Sequence, residues 1–182
     1  MPLATAVGVA RCLRTLFPQL GVKIKWPNDL ILEGGKLGGI LCEAVGDRNG
    51  SFIIIGLGLN SVHSPEALDQ ATVSLSQALA PRKISADDIR EEMIESILQV
   101  LTEISAVGIE GIEKEFMRYT LSPKGTLIHW SPTNSEASLK SGVVQGLGPL
   151  GELLVTSVGA NEGETLRLYA EDIRLQRSES IL

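Results

Sequence analysis

The stretch KWPNDLILEGGKLGGILCEAVGD, residues 25–47, followed by SFIIIGLGLN, residues 51–60, decides the architecture. Together with VKIKW, residues 22–26, it alternates short apolar runs with turn signals at Pro27-Asn28, at Gly34-Gly35 and in GDRNG, residues 46–50. Runs this short, bounded by Gly, Pro and Asn, predict strands joined by tight turns, hence an antiparallel meander. Asp29 and Lys36 flank the Gly34-Gly35 hairpin. A hairpin sets residues of its two strands side by side, so a carboxylate and an ammonium can face one cleft. Gly38 and Gly39 fall inside a strand, where glycine marks tight strand packing or room for a flat ligand against the backbone. Gly56, Gly58 and Asn60 end a strand without the G-x-G-x-x-G context, which argues against a dinucleotide fold.

Outward from this core, LATAVGVARCLRTLF, residues 3–17, spaces Leu3, Ala6, Val7, Ala10, Leu13 and Phe17 for an amphipathic helix, with Arg11 and Arg14 on its other side and Pro18 as its stop. Downstream, a polar stretch with Pro65 and Pro81 leads into residues 86–106, where Ile89, Met93, Ile97, Val100, Leu101 and Ile104 form one core stripe behind a Ser85 N-cap. A second helix is predicted from about Gly111 to Tyr119. The pattern then changes to strands around 126–130, 137–146, 152–157 and 165–169, broken by Gly-rich turns such as GLGPLG. We place a domain boundary near Thr120, dividing the chain into 1–120 and a small β-barrel or sandwich over 121–182.

The chain has 182 residues and a net charge of -6, and it lacks the clustered Lys and Arg that phosphate backbones attract, which excludes nucleic acid as a partner. Cys12 and Cys42 sit in apolar contexts without metal-ligand spacing, and no basic leader or membrane-length apolar run occurs, so a reducing, cytoplasmic setting without membrane contact is the expectation. His63 and His129 form no metal pattern. Trp26 and Trp130 read as core residues with one N–H each. Lys25 reads equally well as a strand-end surface charge or a site residue.

The order of KWPND, K-L-G-G-I-L-C-E at 36–43 and G-L-G-L-N at 56–60 resembles the biotin protein ligase family. The resemblance implies an α+β fold, with a mixed or antiparallel sheet and helices of the class II synthetase type. It implies an ATP-dependent ligase that forms biotinyl-5'-AMP and transfers biotin to a lysine of the biotin carboxyl carrier protein of acetyl-CoA carboxylase. Lys36 then contacts biotin and the α-phosphate, Asp29 is its polar partner near the incoming amine or the metal, and Asn28 and Asn60 face adenine. Lys25, Trp26, Gly38, Gly39, Gly56 and Gly58 complete the implied adenylate site. ATP, Mg2+ and biotin are the implied ligands, with no dedicated protein metal site, and a homodimer is allowed. Lipoate ligases share the general fold, but KWPND followed by K-L-G-G-I-L points to biotin.

GVVQGLGPLGELLV, residues 142–155, resembles the hairpin of the SH3-like C-terminal domain of bacterial biotin ligases, and the likeness extends over 122–175. The family's upstream Ser/Thr turn and Gly-Arg-rich loop have no counterpart in these residues, nor has a winged-helix DNA-binding domain. A misplaced start codon, a truncated gene and a fragment used by itself stay open as explanations. The expectation is therefore an N-terminally truncated, impaired ligase, and the alternative is a non-catalytic protein-interaction remnant. Missing strands would leave an open sheet edge and uncovered apolar surface.

Overall fold

A computed structural model of the chain describes all residues except 48–49, 67–69, 83, 132–138, 160–162, 170–171 and 176–182, with backbone alone for 47 and 172–175. The Arg48-Asn49 tip of the GDRNG turn and the first residues of the strand predicted from 137 lie outside the described residues. Strands β1 (Lys23–Lys25), β2 (Asp29–Leu32), β3 (Gly35–Asp47) and β4 (Gly50–Leu59) lie side by side in chain order, each antiparallel to the next. The meander is the predicted one. Side chains alternate across it. Ile24, Leu30, Leu32 and Ile40 are buried on one face, while the other carries Asp29, Gly39, Leu41 and, on β4, Phe52, Ile54, Gly56 and Gly58.

Helix α1 (Pro2–Leu16) packs on the buried face of this sheet and on α3 (Asp87–Val107). The expectation of an amphipathic α1 is corrected: ten of its residues, from Leu3 to Leu13, are buried, because sheet and helices enclose it. A Cβ at Gly8 would lie 2.8 Å from the Ile97 Cα, so glycine permits the close crossing, and the Ser96 hydroxyl donates to the Gly8 carbonyl at 2.8 Å. Arg11 projects between α3 and α4 (Glu110–Tyr119) and binds Glu103 at 2.8 and 2.9 Å and Glu115 at 2.5 to 3.2 Å. These bonds hold the Arg11 pKa above its ordinary value and the Glu103 pKa below its own.

The stripe of α3 is only partly core. Ile89, Met93 and Val100 are buried, whereas Ile97, Leu101 and Ile104 are partly buried and Ile94 and Leu98 are exposed. The helix begins at Asp87 with Ala86 in the cap position, one residue after the predicted Ser85, yet Ser85 still closes its first turn: its hydroxyl accepts from the Asp88 N–H at 3.3 Å and Asp88 accepts from the Ser85 N–H at 2.8 Å. The reading of the sequence missed α2 (Leu75–Ala78), which Ser74 and Gln77 close with a capping box.

A second antiparallel sheet contains β5 (Leu127–Ser131), β6 (Lys140–Leu147), β7 (Leu153–Val158), β8 (Thr165–Leu168) and β9 (Asp172–Leu175), in the order β8-β7-β6-β5-β9. Strand β9 is an addition to the predicted set. Ile128, Trp130, Val144, Leu153, Val155 and Leu168 are buried on this sheet. At the junction the Leu121 N–H donates to the Ile24 carbonyl at 2.9 Å, and the Trp26 indole N–H donates to the Gly151 carbonyl at 3.0 Å.

Candidate functional site

Asp29 opens β2 and Lys36 is the second residue of β3, separated by a turn in which Glu33 (φ 50) and Gly34 (φ 78) are left-handed. The register decides where Lys36 points. Leu30 stands opposite Gly38 but Ile31 stands opposite Lys36, so Leu37 is one extra residue in β3. Such a bulge shifts alternation by one residue and re-aims the side chains beyond it. Leu37 is fully buried; Lys36, on the turn side of the bulge and opposite Ile31, shares the face of Asp29 through the hairpin itself, and the bulge sets Gly39 rather than Gly38 opposite Asp29. The Lys36 Nζ lies 2.6 Å from Asp29 Oδ1, with side-chain exposures of 30% and 18%.

Beside this ion pair lies an open cleft of about 470 Å³ lined by Asn28, Asp29, Lys36, Gly39, Ile40, Leu41, Gly56, Leu57 and Gly58. The glycines divide the two roles foreseen for them. A Cβ at Gly38 would collide with the Gly58 carbonyl, which makes this glycine a condition of strand packing. A Cβ at Gly39 would stand 3.2 Å from Asp29 Oδ1, whereas at Gly56 and Gly58 it would meet nothing closer than 3.6 and 3.9 Å. The floor is bare backbone. From it an apolar strip of Leu41 (64% exposed), Phe52 (60%) and Ile54 (48%) continues along the same face.

The remaining candidates support the pair from behind. Asn28 lines the cleft, but its Nδ2 donates to the Ile40 carbonyl at 2.7 Å. Asn60 lies outside the cleft lining, and its Nδ2 donates to the Lys36 and Val73 carbonyls at 3.2 Å each, fixing the backbone from which Lys36 projects. Trp26 is 2% exposed and committed to Gly151. Lys25 stands opposite Asp29 in the β1–β2 register. Neither the bulge nor the Asn60 clamp was foreseen. Among the described residues no group of three His, Cys, Asp or Glu could hold a metal ion, and no helix is long and apolar enough to cross a membrane.

A four-stranded meander with a Lys–Asp pair over a glycine floor, joined to a second antiparallel sheet, places the chain among the biotin and lipoate ligases, and residues 2–60 match the model of the Biotin/lipoate A/B protein ligase family. It is 31% identical over 162 residues to the Bacillus subtilis bifunctional ligase/repressor BirA, an alignment covering 84% of this chain and 46% of that protein. Against biotin–protein ligase 1 of Arabidopsis thaliana it is 25% identical over 143 residues, covering 79% of this chain and 39% of the relative. The apo biotin protein ligase of Aquifex aeolicus superposes with a TM-score of 0.78 over 96% of this chain and 74% of that one, at 17% identity, a likeness of fold. The chain is a member of the biotin protein ligase family. It spans less than half the length of these curated relatives.

Proposed function

We propose that the cleft is one wall of a biotin protein ligase active site, in which ATP and biotin give biotinyl-5'-AMP and pyrophosphate and the biotinyl group passes to a lysine of a biotin carboxyl carrier protein, such as that of acetyl-CoA carboxylase. The observation that carries this reading is Lys36 held 2.6 Å from Asp29 over a floor without side chains. A flat adenylate can approach that floor closely. As a biotin carboxylate oxygen attacks the α-phosphorus and pyrophosphate leaves, the fixed ammonium offsets the charge developing on the phosphate oxygens. Asp29 holds that ammonium and offers a carboxylate to the incoming lysine amine. The strip of Leu41, Phe52 and Ile54 suits the hydrocarbon arm and thioether ring of biotin. For Mg2+ the cleft lining supplies one carboxylate, Asp29, already paired, so these residues do not form a cage; magnesium would arrive on the nucleotide phosphates.

The test is Lys36→Ala in a polypeptide that joins these residues to the Gly-Arg-containing segment of a full-length ligase. Biotin-dependent pyrophosphate release should fall by about 10²-fold or more, the scale of one preorganised electrostatic contact. Near-normal release would remove Lys36 from this role. The 182 residues contain no Gly-Arg repeat. Alone they supply one wall, and biotin transfer by the chain alone should be far slower than by the joined polypeptide, because positioning is lost.

The exposed apolar strip favours a second reading, a remnant that keeps the fold for protein contact. Thermal stabilisation by ATP and biotin together separates the two, since only the ligase reading expects it.

A further inference from the structure

The turn between β6 and β7 reaches across the junction to Trp26, in the turn between β1 and β2, three residues before Asp29. At its end lies Glu152, whose side chain is fully buried and whose carboxylate binds two groups: the Leu150 N–H at 2.8 Å and the Arg167 guanidinium at 2.5 Å. The turn closes on itself through Gly148 N–H to the Glu152 carbonyl at 2.8 Å and Gly151 N–H to the Gly148 carbonyl at 2.9 Å. A Cβ at Gly148 would collide with the Glu152 carboxylate, so the carboxylate packs directly beneath this glycine. The buried carboxylate thus braces the turn from inside. In this turn Gly151, at φ +83, aims its carbonyl at the Trp26 indole, 3.0 Å away.

Trp26 is two residues before Asn28 and three before Asp29. Asn28 is itself tied to Ile40 on both sides, its Nδ2 and its carbonyl each engaging that residue, at 2.7 and 3.0 Å. Hydrogen bonds thus run from Arg167 through Glu152, Gly148 and Gly151 to Trp26, from which the backbone leads through Asn28 to Asp29, the residue that holds Lys36. We propose that Glu152, on the second sheet, is a positioning residue for the Asp29–Lys36 pair, acting through the Gly151 carbonyl and the Trp26 indole. This rests on the ligase reading for its chemistry but not for its geometry, which is measurable without turnover. It also gives the second sheet a task in the first sheet's site.

Hydrogen exchange on the 182-residue chain, read by two-dimensional NMR, tests it. Trp26→Phe deletes the indole N–H and keeps the aromatic bulk. It should speed exchange at the Asn28 side-chain amide and the Asp29 and Gly39 amides by about tenfold, with β4 and α3 amides unchanged. Glu152→Ala should do the same from the far side, and Glu152→Gln, which keeps an acceptor for Leu150, should restore most of the protection. If Glu152→Ala does not fold, Trp26→Phe and Glu152→Gln decide the matter. Loss of protection confined to 148–152, or uniform across the molecule, would overturn the proposal. In the joined polypeptide Trp26→Phe should lower the kcat for biotin-dependent pyrophosphate release about tenfold with KM for ATP little changed. If the parent releases no pyrophosphate, the ligase reading fails while the exchange data still decide the positioning claim. If it does, and Trp26→Phe changes KM alone, the indole contact serves binding and the proposal falls.

Discussion

The two sheets of this molecule use similar strands to opposite ends. The β5–β9 sheet buries its apolar alternation, with Trp130, Ile128, Val144 and Val155 at 2% exposure or less. The β1–β4 sheet buries Ile24, Leu30, Leu32 and Ile40 on one face, where Ile53 at its far end stays exposed, and leaves Leu41, Val45, Phe52 and Ile54 uncovered on the other, beside the Lys36–Asp29 pair. Large apolar groups in a contiguous exposed strip mark a surface made to bind something, whereas scattered ones need no explanation. The difference sets the open face of the first sheet apart from the covered second sheet before any residue is assigned a role. It also predicts that stability and function respond to different strands.

The largest effect should come from the covered sheet. Trp130→Ala removes a 2% exposed indole and should lower unfolding free energy by about 3–5 kcal/mol, the usual cost of truncating a buried aromatic side chain. Denaturant melts measure it, and a loss below about 1 kcal/mol would mean that this sheet is loosely packed. Next comes Arg11, which joins three helices behind the open sheet. Arg11→Ala leaves Glu103 and Glu115 facing each other without their common partner and should cost about 1–3 kcal/mol. Because Glu103 is partly solvated, salt should shrink this effect, and an effect independent of salt would assign it to packing instead.

How much of this was legible in the sequence depended on whether local rules governed. The meander, α3, α4 and four strands of the second sheet came from turn residues and periodicity, because strand length and Gly, Pro and Asn placement are local facts. The Lys36–Asp29 pair came from hairpin proximity, but the glycine opposite Asp29 did not: a bulge at Leu37, which sets Gly39 there, depends on which side chain the core accepts, a tertiary choice. The burial of α1 escaped for the same reason, since Arg11 reads as a solvent-facing residue until two carboxylates from other helices meet it. The cap formed by Ser85 and Asp88 was legible, and Ser74-Leu75-Ser76-Gln77 carried an equally local signal that went unused.

Acid should separate the covered contacts from the open face. The Glu103 carboxylate is held below its ordinary pKa of 4.5 first by its hydrogen bonds to Arg11. Burial pushes Glu152 upward, but backbone N–H groups and Arg167 together outweigh it and hold it below 4.5. A carboxylate with a folded-state pKa below its unfolded value contributes stability that is complete above the unfolded pKa and is lost as pH falls through the folded one. Melting temperature should therefore be flat from pH 7 to about 5 and fall below about 4.5. Glu152→Gln should flatten that fall, and an unchanged acid profile would remove Glu152 from the account.

The smallest expected effect on stability lies on the open face itself. Phe52 is 60% exposed on β4, opposite Val45, and its ring has water on much of its surface in the folded state. Folding removes little apolar area there, so Phe52→Ser should change unfolding free energy by no more than about 0.5 kcal/mol, the range of ordinary surface substitutions. Its effect on surface properties should be plain by contrast. A polar residue opposite Val45 shortens the apolar strip at its far end, so binding of an apolar reporter dye and self-association at high concentration should both decline. The pairing with Trp130→Ala makes the contrast quantitative: one aromatic carries several kcal/mol and no surface activity, the other the reverse. A Phe52→Ser protein that lost more than about 2 kcal/mol would show that this face is packed in solution, and the division between a structural and a working sheet would then have to be withdrawn.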